Sequence, residues 1–217
     1  MNRSIVLVHG IHDKVTNWGG VEKALVDRGF SVRKFAYPKR WAISYYLPWI
    51  QRNDGLRLAN FVEDGDHILA HSNGGNITQS AIKNSWAKPG FFKRMLNKLL
   101  GNLPAEPQGV RFGKVFMFSP AATSDKMSYP DGCLEKCYVV YNPRDKALKL
   151  GAIAPFHPFG SLGLLGFVRT PELGKDRRFK NIEAYFSSGW FSANHSFYFV
   201  EQLNEWIEFI DRMTSPE

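Results

Sequence analysis

Cysteine is scarce in this chain: 217 residues hold two, Cys133 and Cys137. That is too few for a disulfide framework, and the pair alone cannot complete a four-ligand zinc site. Both are expected to be reduced and partly buried. Long apolar runs are also missing. The first one, Ile5 to Val8, is broken by His9, which is too short for a signal peptide's apolar region or a membrane span. The expectation is a cytoplasmic chain with no membrane span. No low-complexity or long polar tract interrupts it, so disorder is not expected. Nucleic-acid signatures are absent too: no aromatic RNP-like string, no zinc-finger spacing and no continuous basic helix. No specific nucleic-acid partner is expected. Acidic residues are outnumbered, 20 against 28 basic ones, for a net charge of +8. Such a field concentrates anionic ligands, so an anionic surface or polymer is one partner class to weigh.

What is present is core material. Hydrophobic residues make up 44% and aromatics 14%, in a length that one core can serve, since cores run to roughly 250 residues before splitting. Residues 1–217 are therefore read as one domain. "RSIVLVHG" (3–10) reads as a strand, and residues 17–30 as a helix with Val21, Leu25 and Val26 at helical spacing. The alternation continues with strands at 31–38 and 66–72 and helices at 55–65 and 74–86. Three further strands are expected at 113–120, 134–143 and 181–188, and residues 196–213 form an amphipathic last helix. This pattern predicts an α/β fold, a three-layer α/β/α sandwich on a mainly parallel sheet of six strands.

"HILAHSNGGN" (67–76) carries the first chemical signal. A strand entering a helix through a sharp turn strains the turn residue and exposes its side chain at the carboxyl end of the sheet. Small neighbours are then required, and Ala70 and Gly74 flank Ser72 at the right distance. The plain alternative is a polar turn residue. A serine nucleophile needs a base, and that base needs an orienting carboxylate. Of six histidines, His195 in "SANHSF" falls between the last expected strand and the last helix. His9 and His71 are less suited, since they abut a glycine and the nucleophile. Asp145, ending "YVVYNPRD", is the acid at the carboxyl end of the fifth strand. Asp125 and Asp131 are fallback acids. Surface or core roles are the ordinary alternatives for an isolated histidine and aspartate. The oxyanion of an acyl-transfer intermediate needs two donors: the Ile11 N–H after "VHG", and the Asn73 N–H at the helix start. His12, Trp18, Pro120 and Trp190 are substrate-pocket candidates. "HGIHDKVTNWGG" lacks both the Gly-Lys-Ser/Thr ending of a phosphate loop and the glycine spacing of a dinucleotide site.

Through "LVHGIH", "AHSNGG", "YNPRD" and "NHS", in that order, the chain resembles the α/β-hydrolase superfamily, most of all its small bacterial or phage esterase-like members without a lid. The resemblance implies a serine hydrolase with Ser72 as nucleophile, Asp145 as acid and His195 as base. It implies no metal and no organic cofactor. Two departures stand out: the two antiparallel strands that usually precede the first strand are missing, and only residues 121–133 separate the fourth and fifth.

Two segments offer cover for the site. A basic amphipathic insertion at 87–112 includes "FFKRMLNKLL" (91–100), either a surface helix packed on the core or an interfacial lid. An apolar, loop-like stretch at 146–180, richest at 151–167, either packs down or lines an acyl pocket. The expected substrate is a small-molecule or lipid-like ester. Amide, thioester or peptide cleavage uses the same residues, and a binding protein that kept the fold without the chemistry is the reading from another class.

Overall fold

Alternation along the strands decides the layering. In β1 (Ser4–Val8), Ile5 and Leu7 join one apolar cluster while Val6 and Val8 join the other, as the two-residue period of a strand requires. β3 (His67–His71) divides likewise, Leu69 against Ile68 and Ala70, and all five of its residues are buried. A strand buried on both faces needs helices on both. The computed structural model describes residues 3–10, 18–37, 48–86, 109–122, 129–153, 162–166, 177–184, 195 and 197–215.

The other strands are β2 (Ser31–Phe35), β4 (Phe112–Phe118), β5 (Leu134–Tyr141) and β6 (Phe179–Glu183). Six strands form one sheet in the order β2-β1-β3-β4-β5-β6, and every neighbouring pair is parallel. Helices α1 (Trp18–Val26) and α6 (Leu203–Thr214) pack on one face through Val21, Leu25, Ile207 and Ile210. On the other lie α2 (Pro48–Phe61) and α3 (Asn73–Trp86), which bury Leu58, Ala59, Ile77, Ala81 and Ile82. Each such fully buried leucine, isoleucine or valine contributes roughly 1.5–3 kcal/mol. The result is the expected α/β/α sandwich, its sheet wholly parallel. Strand order reverses between β1 and β3, so their carboxyl ends open a crevice, the place where such sheets bind ligands.

Several boundaries differ from expectation. α2 begins at Pro48 rather than at residue 55, because Gly55 is a helix-crossing contact and not a start. A Cβ there would lie 2.5 Å from the Ser80 hydroxyl oxygen on α3. The stretch at 146–180, expected to be loop-like, contains α4 (Lys146–Ile153) and α5 (Leu162–Leu165). The last helix, expected from residue 196, is divided into a 3₁₀ turn at Phe197–Phe199 and α6. All three aromatics of that turn are fully buried, and one face of an α-helix cannot bury three consecutive side chains. β6 starts two residues before its expected place. Cys133 and Cys137 are free thiols, fully rather than partly buried, and burial pushes the Cys137 thiol up. Among the described residues no helix is long and apolar enough to cross a membrane.

Candidate active site

β3 delivers the chain straight into α3, and the turn between them is Ser72, at φ 55°. A non-glycine residue in that region is strained and persists only where its surroundings over-determine it. Here they do. The Ser72 N–H donates to the Phe118 carbonyl at 3.1 Å, and its own carbonyl accepts from Gly75 and Ala121, each at 3.0 Å. The close approach of α3 to β1 needs glycine: a Cβ on Gly74 would stand 2.2 Å from the Val8 carbonyl oxygen. On the facing strand, the pairing of Val8 with Ala70 brings Gly10 alongside Ser72. A Cβ on Gly10 would lie 3.0 Å from the Ser72 Cβ and 3.4 Å from its Oγ. The Tyr37 hydroxyl, 2.9 Å from the His9 carbonyl and 2.8 Å from that of Gly10, pins this end of β1.

Asn73 opens α3, where the first N–H groups have no intrahelical acceptor and the helix dipole favours negative charge. Its side chain is buried and accepts from the Asn76 amide at 3.3 Å. The Asn73 main-chain N–H is one of these helix-start donors, and its side-chain Nδ2 is buried with no partner among the described residues.

Asp145 follows β5, fully buried, and its two oxygens have different tasks. Oδ1 accepts the Leu148 N–H at 3.0 Å, capping α4 as an aspartate does at a helix start. Oδ2 lies 2.5 Å from His195 Nδ1. A carboxylate oxygen accepts, so Nδ1 carries the proton and Nε2 is left with the lone pair in the neutral ring. Burial alone would push the Asp145 carboxyl up. The hydrogen bond and charge of His195, the Leu148 N–H and the Ser119 hydroxyl outweigh it and hold the acid below the ordinary aspartate range.

Sequence reasoning missed three residues of this cluster. Ser119, at φ 39° and fully buried at the end of β4, is hydrogen-bonded to Asp145 and to the Tyr198 hydroxyl at 2.8 Å. Burial pushes the Tyr198 phenol up, so it stays a neutral partner. His71, passed over as a base, has its Nε2 2.9 Å from the His195 carbonyl and its ring 4.7 Å from the His195 ring. Burial first, and then the nearby His195 charge, push its pKa down to about 3. A positive φ and contacts spanning 79 and 124 residues leave no local trace in sequence. "AHS" alone pointed only to a small turn.

The other expected residues divide. Asp145 and His195 come into direct contact, and His71 links them to the Ser72 turn. Among the described residues the Ser72 hydroxyl has no hydrogen-bond partner; contacts of this kind often tighten only with substrate bound. Asp131 is a correction: it is fully exposed at the amino end of β5, beside Arg178 at 3.7 Å, the wrong end of a parallel strand for this site. Trp18 and Pro120 are buried. The Trp18 ring packs against Phe199 at 5.4 Å and edge-on to His71 at 6.5 Å. Pro120 fits against Gly75, where a Cβ would be 2.6 Å from it. Both are walls rather than open lining. Ile11, His12, Trp190, Asp125, residues 91–100 and most of 151–167 lie outside the described residues. Scanned against protein-family models and searched against curated proteins, the chain matches none.

Proposed function

We propose that this chain is a serine hydrolase of the α/β-hydrolase kind that cleaves a carboxylic ester through an acyl-Ser72 intermediate. The observation that carries the reading is the hydrogen bond between the buried Asp145 and His195 at the same sheet end as a strained serine turn at the head of a helix. Ser72 Oγ attacks the ester carbonyl and gives its proton to His195 Nε2, while the negatively charged oxygen is received by the Asn73 and Ile11 N–H groups. The tetrahedral adduct collapses, the C–O bond breaks, and His195 returns the proton to the departing alcohol. Water then repeats the sequence on the acyl-enzyme and frees the acid and Ser72. Asp145 keeps Nδ1 protonated and stabilises the imidazolium. No step calls for a metal or organic cofactor.

Hydrolysis of a short p-nitrophenyl ester by the wild type and by Ser72→Ala tests this directly. Turnover should fall on the order of 10⁴-fold or more, with circular dichroism unchanged. A fully active Ser72→Ala protein overturns the reading. The same residues serve amides and thioesters, so matched esters and anilides rank the leaving group; a faster anilide would make the protein an amidase. Preference for esters at anionic surfaces is the finer proposal on the net charge of +8, and a gain in anionic vesicles that salt abolishes would support it.

A further inference from the structure

His195 is joined to the sheet through His71 as well as through Asp145. The His71 Nε2 stands 2.9 Å from the His195 main-chain oxygen. A carbonyl oxygen only accepts, so Nε2 carries the proton and donates. The two rings lie 4.7 Å apart at 43°. Phe199 and Trp18 close on His71 edge-on, with centroids at 5.8 and 6.5 Å, and leave it 2% exposed. His71 precedes Ser72 directly, so one residue ties the nucleophile's turn to the segment bearing the base.

We infer that His71 is a positioning residue, whose Nε2–H grips the main chain of His195 and sets the imidazole over the Ser72 turn. The grip suits the chemistry. His195 becomes positive during the proposed reaction, and a second charged imidazole at this distance would oppose that. Burial keeps His71 neutral down to about pH 3, so it donates a hydrogen bond without adding a charge. Of the charged and titratable groups nearby, Asp145 acts on His71 as well as on His195, and Tyr198 acts on Asp145; Arg144, Lys146 and Lys149 are exposed.

The inference rests on the serine-hydrolase reading for its rate effect, and a second readout is independent of turnover. His71→Gln keeps an N–H donor, and His71→Phe keeps ring volume without one. The Phe variant should lose on the order of 10²-fold in kcat for a short ester with KM nearly unchanged, the scale of a small misplacement of a catalytic group. The Gln variant should recover most of it. In proton NMR the downfield His195 Nδ1–H signal should shift or broaden in Phe and return in Gln. Equal behaviour of Gln and Phe, in rate or in this signal, overturns the inference, as does a Phe variant indistinguishable from wild type. Should Phe fail to fold, His71→Leu replaces it against Gln with the same expected split. If the wild type hydrolyses no ester, the hydrolase reading fails, while the NMR comparison still decides whether His71 holds His195.

Discussion

Two of the fully buried aspartates among the described residues, Asp66 and Asp145, lie at opposite ends of the same sheet, and their partners make them different devices. Asp66 sits before β3, at the amino end. It is paired with the Arg33 guanidinium and takes the Glu63 N–H at 2.7 Å, while Arg33 also reaches Glu63 at 2.8 Å and covers the Phe61 ring. Arginine never gives up its proton, so this cluster can only hold a turn together. Asp145 sits at the carboxyl end with an imidazole for a partner. The same burial and similar hydrogen bonding there leave a group that can accept and return a proton. An aspartate's partner, more than its burial, separates structure from chemistry in this molecule.

Exchanging each carboxylate for its amide should separate the two most sharply. Asp145→Asn should lower ester turnover on the order of 10⁴-fold, because the amide no longer fixes the imidazole tautomer. Asp66→Asn should leave turnover per folded molecule unchanged and lower stability on the order of 3 kcal/mol, by leaving Arg33 without its buried partner. Urea denaturation and steady-state kinetics on both variants check the crossing. Comparable activity losses would mean that both ends serve the site.

Acid should weaken the carboxyl end in a manner set by His71 and Asp145. The folded His71 titrates near 3 against 6.5 when unfolded, so between these values the unfolded chain binds the extra proton and stability rises with pH. Its contribution is full above pH 6.5 and is lost as pH falls toward 3. The lowered Asp145 adds the same sign at more acidic pH, with stability present above the ordinary aspartate value and lost below it. His71→Phe should therefore flatten the dependence of unfolding free energy on pH from 6.5 to 3, a change on the order of a few kcal/mol across the window. An unchanged slope would contradict the buried neutral imidazole.

The smallest expected effect is at Tyr198. Tyr198→Phe removes one hydroxyl from Ser119, a loss of about 1 kcal/mol in stability. It should alter the pH dependence of turnover slightly, because Ser119, whose proton goes to Asp145, then loses the phenol that donates to it. Asp66→Asn should leave that profile where it is.

Local chemistry explains which parts were legible in sequence. The β3–Ser72–α3 passage is local: an apolar run, a serine between small residues and an amphipathic follow-on. The meeting of Asp145 with His195 was legible because Asp145 ends the fifth strand's segment and His195 stands between the last expected strand and the last helix. Where a long-range contact overrides propensity, legibility stops. Gly55 reads as a helix start until Ser80 is placed against it. Lys146–Ile153 reads as loop until the Asp145 side chain caps it. His71 reads as a spacer until His195, 124 residues on, returns to it.

Incubation with a fluorophosphonate probe, followed by peptide mapping, tests the central claim most directly, because the reagent reports an activated serine whatever the natural substrate. Wild type should carry one label, on Ser72, with labelling lost in Ser72→Ala and strongly slowed in Asp145→Asn and His195→Ala. An unlabelled wild type, or a label on another residue, would contradict the account.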